Sequence, residues 1–494
     1  MDTTSTSATS ATSATTETTP AAAARPRDIR ELPAPRGWPI VGHAFVLDPP
    51  RAYAQMAQWA RELGSPYRLE ILGRRIVVWD DPEVAQAALR ERPVRFTRNR
   101  NLRPVFQELG IDGLFSTEGQ AWAPQRRLIM QSLNASHFRG FWPTLHAITQ
   151  RLLARWQAAA ARGETIEMTQ ELVRYTVDVS SALAFGEDPN TIEQEGDQRI
   201  QQHLALLFPA VMKRVMAPFP IWRHVKTAKD RALDRAVAAI HAYAHERIAV
   251  ARRRLADDPL PEGTPPRSAL EAMLLPSAED DTKFSDDVIV ANVLTLLLAG
   301  EDTTAHTLAW AIWLIAQHAE ARGRLVAAAD TALGGAAMCA THEGLKALDL
   351  FEHAGLEALR LKPVAPLLGV STTAPEDVVG GVKVDASVRL FFLNRVSMLD
   401  PRWFGRPSEF VPERWGRERP PGCETHEVRA FMQFGTGPRV CPGRHLANVE
   451  IRLVLSMLLR NFEVELACPA SEVKEVSAFT LMPDKLPVRL LPRA

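Results

Sequence analysis

The chain has 494 residues, of which 46% are hydrophobic and 23% charged, a balance that supplies a large core and excludes a mainly disordered chain. Its 58 Lys and Arg offset 58 Asp and Glu, so net charge lends no support to a nucleic-acid partner or a polybasic membrane contact. Cys339, Cys423, Cys441 and Cys468 are scattered and form no C-x-x-C pair, which argues against a disulfide framework and for a reducing cytoplasm.

Residues 2–19 are Asp, Thr, Ser, Ala and Glu only. With no basic start and no apolar run they are not a secretory signal. Residues 1–30 are expected to form a disordered tail, having nothing to bury against the entropy cost of ordering. The folded domain is expected over 31–494, entered through an extended lead-in at Pro33, Pro35 and Pro39, with its first element near residue 36. Alternation over 67–80 predicts a hairpin turning at Gly73, and 82–91 a short helix. From 120 to 350 the period is helical, interrupted at 257–284 by a Pro-rich, acidic stretch expected to be an exposed loop. The apolar tract 288–300 contains Asn292 and Thr295 and ends at Glu301 and Asp302. It falls short of the ~18 residues that cross a bilayer and reads as a buried helix. Alternation returns over 378–392 around Gly380 and Gly381, and a last helix follows Cys441 with Leu446, Val449, Leu453 and Met457 on one face. Length alone suggests about three domains; the elements sum to a mostly α chain with a minor β portion.

The segment Phe434 to Gly443 carries the most chemistry. Gly435, Gly437 and Gly443 surround Cys441 just ahead of an amphipathic helix, so the backbone can approach a bound group and aim amides at the sulfur. A helix N-terminus favours thiolate, and Pro442 suits a first helical turn. The plain alternative is a buried cysteine in a glycine turn. His445 adds C-x-x-x-H, but without a second Cys/His pair nearby this does not make a zinc site.

This segment resembles the cysteine loop of the cytochrome P-450 family, the haem-thiolate monooxygenases, whose pattern fixes Phe434, Gly435, Gly437, Arg439, Cys441 and Gly443. Where family members usually have proline before the phenylalanine, this chain has Gln433. The resemblance covers roughly residues 30–494 and implies one large, mostly helical unit with a small β-rich lobe, in place of several domains. It makes Cys441 the axial ligand of the iron of haem b. Glu357 and Arg360, spaced i and i+3, would be completed by Arg414 of a P-E-R segment into a buried structural triad. Ala299 and Gly300 would lie on the oxygen-binding face, with Asp302 and Thr303 delivering protons and Glu301 a spectator. The alternative there is a Thr303 hydroxyl bonded back to the Ala299 carbonyl, which merely bends the helix. Trp122, Arg126 and Arg439 are the expected contacts of the haem propionates; Arg98 and Arg100 fit weaker family patterns and are not included.

The activity so implied is insertion of one atom of O2 into a lipophilic small molecule. Electrons would come from NAD(P)H through a separate ferredoxin or flavodoxin and its reductase. No fused reductase, membrane anchor or nucleic-acid partner is expected, and the location is cytoplasmic. By family analogy the pocket walls are Phe106, Leu114, Phe115, Leu207, Phe208, Val211, Met216, Leu298, Ala299, the segments 364–368 and 479–481. Arg127, Arg429, Arg444 and Arg452 would give the thiolate side a basic patch for an acidic donor. The competing classes are a peroxide-driven peroxygenase and a non-catalytic haem sensor.

Overall fold

The structure, a computed structural model, describes residues 25–493 apart from 99–100, 194–198, 218, 262–263, 276–283 and 478–479. Most of the expected tail therefore lies outside the described residues. Its last part does not behave as tail: the Arg27 amide donates to Gly381 and the Arg27 carbonyl accepts from Lys383, each at 2.9 Å, and Ile29 and Leu32 are buried. The chain is already folded at Arg27, nine residues before the expected start, because Arg27 pairs with Val382 and Ile29 and Leu32 join the core of the small lobe.

A small lobe is built on one five-stranded sheet. β1 (Tyr67–Ile71) and β2 (Arg74–Trp79) form the expected hairpin. Leu72 and Gly73 both have positive φ, 50° and 76°, as a two-residue turn matched to strand twist requires. α1 (Pro82–Arg90) follows, capped by the Asp81 carboxylate, and then β3 (Phe96–Arg98). The sheet is completed from far along the chain by β4 (Leu367–Thr372) and, after the hairpin β5 (Asp377–Val379) and β6 (Val382–Val384), by β7 (Arg389–Leu393). The order is β1, β2, β7, β4, β3, with only the β2–β7 pair parallel. In the β3–β4 ladder Arg98 faces Val370 and Phe96 faces Thr372. Val77, Trp79, Phe96, Val370, Leu390 and Phe392 form the core of this lobe.

The large lobe is helical. α2 (Trp122–Ser132), α3 (Met168–Phe185), α4 (Asp286–Gln317), α5 (Asp349–Leu361) and α6 (Arg444–Asn461) surround one continuous core. Ser285 caps α4 by accepting from the Val288 amide, and Asp286 and Asp287 in the first turn complement the dipole. The expectation of a tract too short to span a membrane needs correcting. α4 has 32 residues and contains an 18-residue window of mean hydropathy 1.4, long and apolar enough to cross. Of that window 67% is buried inside the protein, the condition of a core helix.

α3 lies hard against α4 at Gly300, where an added Cβ would sit 2.4 Å from the Ser180 Oγ. Alongside, the Thr176 hydroxyl donates to the Glu301 carbonyl at 2.8 Å. The expected loop at 257–284 holds a short helix, Ala269–Leu274, whose Ala269, Leu270, Ala272 and Met273 are buried. Ser268, three residues before Glu271, accepts from the Glu271 amide; this cap followed by an apolar run is a helix start hidden among prolines and acids. A final hairpin, β8 (Glu475–Ser477) and β9 (Leu481–Pro483), returns to α4, where Trp310 Nε1 donates to the Leu481 carbonyl and the His306 ring bonds the Thr480 hydroxyl at 2.7 Å.

Candidate active site

The cysteine loop is closed by the Cys441 amide donating to the Phe434 carbonyl at 2.7 Å. Gly435 and Gly437 have φ of 71° and 69°. A Cβ at Gly437 would sit 2.8 Å from the Arg90 Cα, so only glycine lets the loop lie on the end of α1. α6 begins at Arg444 with Gly443 as its cap. Pro442 therefore precedes the helix instead of occupying its first turn. The amides of Gly443 and Arg444 do point at the sulfur, as expected, and the charges of Arg126 and Arg444 also favour thiolate. Burial outweighs all four and pushes the thiol up from its ordinary value. The free sulfur thus keeps its proton until a metal cation displaces it.

The Cys441 side chain remains accessible although protein surrounds it. α4 has the same signature. Its residues are buried from Ile289 to Thr295 and again from Thr304 to Ile312, whereas Ala299 is exposed and Gly300 to Thr303 are half-buried. Within that window the Thr303 hydroxyl donates to the Ala299 carbonyl at 2.8 Å, the bond of the helix-bending alternative. Its oxygen keeps acceptor capacity. Burial pushes the Asp302 carboxyl up to about 6, and burial together with the Asp302 charge pushes Glu301 up to about 8. Glu301 therefore carries a proton at neutral pH while Asp302 exchanges one near it.

A cluster of arginines approaches the cysteine loop. Arg439 stacks on Trp122, 4.8 Å from the ring centroid, and its Nη2 donates to the Thr117 carbonyl (2.6 Å) and to Glu118 Oε2 (2.7 Å). Burial lowers the Arg439 pKa to about 10, with Glu118 opposing and Arg92 and Arg126 adding to the effect. Arg126 is likewise lowered by burial, and the Cys441 charge raises it. Two further members join them, Arg92, which the sequence reading missed, and Arg98, which it noted and set aside. Arg92 is 7% exposed and lies 3.8 Å from Glu118. Arg98 stands over the Phe115 ring at 4.0 Å, and burial, then the Arg92 and Arg439 charges, hold it well below its usual value. A signal for Arg98 was present: in a strand it shares a face with Phe96, two residues earlier, and Phe96 is core.

These residues fit a haem. Arg92 Nε and Nη2, Arg98 Nε, and Arg439 Nε and Nη1 are buried without a hydrogen-bond partner. Buried guanidinium donors in that state call for anionic oxygens, and two propionates supply them beside an accessible cysteine sulfur.

Glu357, Arg360 and Arg414 are each fully buried. Arg360 holds both Glu357 oxygens, at 2.8 and 2.9 Å, and Arg414 Nε donates to Oε1 at 2.9 Å. The Val411 amide and Trp415 Nε1 complete the carboxylate at 3.0 Å each. Burial would raise the Glu357 pKa, but the two guanidiniums and these bonds hold it below the usual range. Of the expected walls, Phe106, Leu114, Leu207, Val211, Leu298, Val364 and Leu481 are buried, Phe106 packs on Phe115, and the side chains of Phe208, Met216 and Phe479 lie outside the described residues. The expected basic patch is smaller than its sequence: Arg452 bonds Asp349 and Glu352, and Arg429 bonds Glu427. Arg127 and Arg444 are exposed, the latter stacked over Phe434 at 5.4 Å.

The family model described as cytochrome P450 matches residues 32–488. Protein LUTEIN DEFICIENT 5, chloroplastic, of Arabidopsis thaliana is 24% identical over 430 residues, covering 85% of this chain and 70% of that protein. Cytochrome P450 4V2 of Rattus norvegicus is 24% identical over 461 residues, covering 89% and 85%. A self-sufficient cytochrome P450 monooxygenase of Aspergillus niger, CYP505E5, is 25% identical, and the match spans 94% of this chain but 43% of that longer protein. Among solved structures, the cytochrome P450DA heme domain superposes with a TM-score of 0.82 at 25% identity, covering 94% of this chain and 97% of that one.

Proposed function

This chain belongs to the cytochrome P450 family, and from that premise we propose that it oxidises a lipophilic small molecule with electrons delivered by a separate protein. Membership makes it a haem-thiolate monooxygenase, an oxidoreductase that incorporates oxygen from O2. The observation that supports the site assignment is the accessible sulfur of Cys441 within electrostatic reach of a buried arginine cluster that carries five guanidinium atoms without a hydrogen-bond partner.

Cys441 would ligate the iron, and Trp122, Arg92, Arg98, Arg126 and Arg439 would hold the two carboxylates. The turn formed by Phe434, Gly435, Gly437 and Gly443 would let the backbone approach the bound group, with the Gly443 and Arg444 amides holding the sulfur. The haem supplies iron that activates O2, and thiolate ligation favours O–O cleavage. Asp302, with its pKa near 6, is matched to passing protons at neutral pH. The Thr303 hydroxyl, fixed by its bond to Ala299, offers an oxygen through which a proton can be relayed. Apolar walls from Phe106, Leu298 and Val364 would exclude water and select a lipophilic substrate. An acidic ferredoxin or flavodoxin would dock beside Arg127 and Arg444 on the thiolate side.

The test is the Soret band of the reduced carbonyl complex. The parent chain should show the strongly red-shifted thiolate band, and Cys441→His should bind haem and lose it. A Cys441→His variant that keeps the band would overturn the ligand assignment.

A further inference from the structure

The guanidiniums of Arg92, Arg98, Arg126 and Arg439 gather beside the cysteine loop, and one carboxylate, that of Glu118, touches three of the segments that carry them. Its side chain is 13% exposed. Oε2 takes one donor of Arg439 at 2.7 Å. Oε1 accepts the Arg98 backbone amide at 2.9 Å and lies 3.8 Å from Arg92 Nη2. One carboxylate thus touches β3, the segment ahead of it and the cysteine loop.

We propose that Glu118 is the internal counter-ion of the haem site, which positions Arg92 and Arg439 for the propionates and sets the charge under which the iron is reduced. The proposal rests on the haem reading above. Without Glu118, several buried cations would face one another with no anion until cofactor arrived, and like charges at short range in low dielectric repel strongly. With it, Arg439 is tethered through Nη2 alone, and its Nε and Nη1 stay open, as do Arg92 Nε and Nη2. Glu118 orients the guanidiniums without consuming the donors that a ligand needs. Four cations against Glu118 leave a site charge of +3, and two propionates bring it to +1. Deleting the Glu118 charge raises the loaded site from +1 to +2, which favours the electron-rich ferrous state.

The experiment is anaerobic redox titration followed by the Soret band, on haem-loaded protein. Glu118→Gln should raise the fraction reduced at a fixed potential, the ferrous to ferric ratio changing by about three- to tenfold at an effective dielectric near 20. Glu118→Asp, which keeps the charge, should titrate as the parent does. Arg92→Gln should shift the ratio the other way, and Glu118→Gln combined with Arg92→Gln should return close to the parent. A carboxylate that merely ties loops together would not be compensated by removing a cation. If Glu118→Gln does not accumulate, the double variant compared with Arg92→Gln alone reads the same charge step without leaving an extra cation. An unchanged midpoint across that step, with the thiolate band intact, overturns the proposal. A parent chain that never shows the thiolate band overturns the haem reading instead.

Discussion

Two groups of buried charge in this protein are built to opposite specifications. In the triad, Glu357 receives five hydrogen bonds, from Arg360 Nε and Nη2, Arg414 Nε, the Val411 amide and Trp415 Nε1. The remaining Arg360 and Arg414 donors end on the carbonyls of Met398, Pro407, Glu409, Gly405 and Arg406. Around Glu118, Arg92, Arg98 and Arg439 leave buried donors with no partner at all. A charge network that satisfies itself fixes chain segments relative to one another. One that does not keeps donors ready for an anionic ligand.

The contrast can be broken by stability measurements. Glu357→Gln should cost ~3 to 5 kcal/mol in urea unfolding, with or without haem, because two guanidiniums lose their partner in a closed core. Arg98→Leu should leave the haem-free chain as stable as the parent or more so, since it removes a buried cation. Its haem should transfer to apomyoglobin about ten- to a hundredfold faster, the worth of a charged hydrogen bond. A loss of apo stability in Arg98→Leu comparable to that of Glu357→Gln would erase the distinction.

Asp302 sharpens it. Its pKa is raised to about 6, so the fold prefers the neutral acid; that contribution is complete below the unfolded value near 4 and is lost as pH rises through about 6. Asp302→Asn should therefore stabilise the haem-free chain by ~2 kcal/mol at pH 7.5 and by nothing at pH 4. A pH-independent difference between the two chains would refute the assignment of a strained, functional carboxyl.

The smallest effect is expected at the surface. Arg444→Glu and Arg127→Glu should slow reduction by an acidic donor a few-fold at low salt, by about as much as salt itself does. Arg452→Glu should act differently, lowering stability with little change in that rate, because Arg452 is already committed to Asp349 and Glu352. Stopped-flow reduction across a salt series reads both.

Local pattern and long-range assembly account for what could be read in advance. The cysteine loop is one contiguous segment and Glu357 and Arg360 share one helical turn, so the family pattern could be matched to them residue by residue. Arg92 and Glu118 were invisible because their partnership depends on β3 carrying the chain past the cysteine loop, and no sequence interval encodes that. The helix Ala269–Leu274 was masked by the prolines and acids around it, although Ser268 and Glu271 marked its start. The expected thiolate at Cys441 followed from the helix end and the glycine-loop amides, an argument that leaves out the burial working against it in the free thiol.

The β3–β4 ladder joins the Arg98 anchor to the strand that begins at Leu367 in the expected pocket wall. Strands in such a ladder do not slide by degrees. A one-residue slip would turn Phe96 and Arg98 to the wrong face, and the next permitted register lies about 7 Å away. The sheet is in this respect a ruler with coarse divisions, holding Arg98 and the segment proposed as a pocket wall at one separation. Divergence in substrate size must then be written in side chains at 364–368 and in the loops beyond them, which makes those positions the place to look for differences among relatives that share this scaffold.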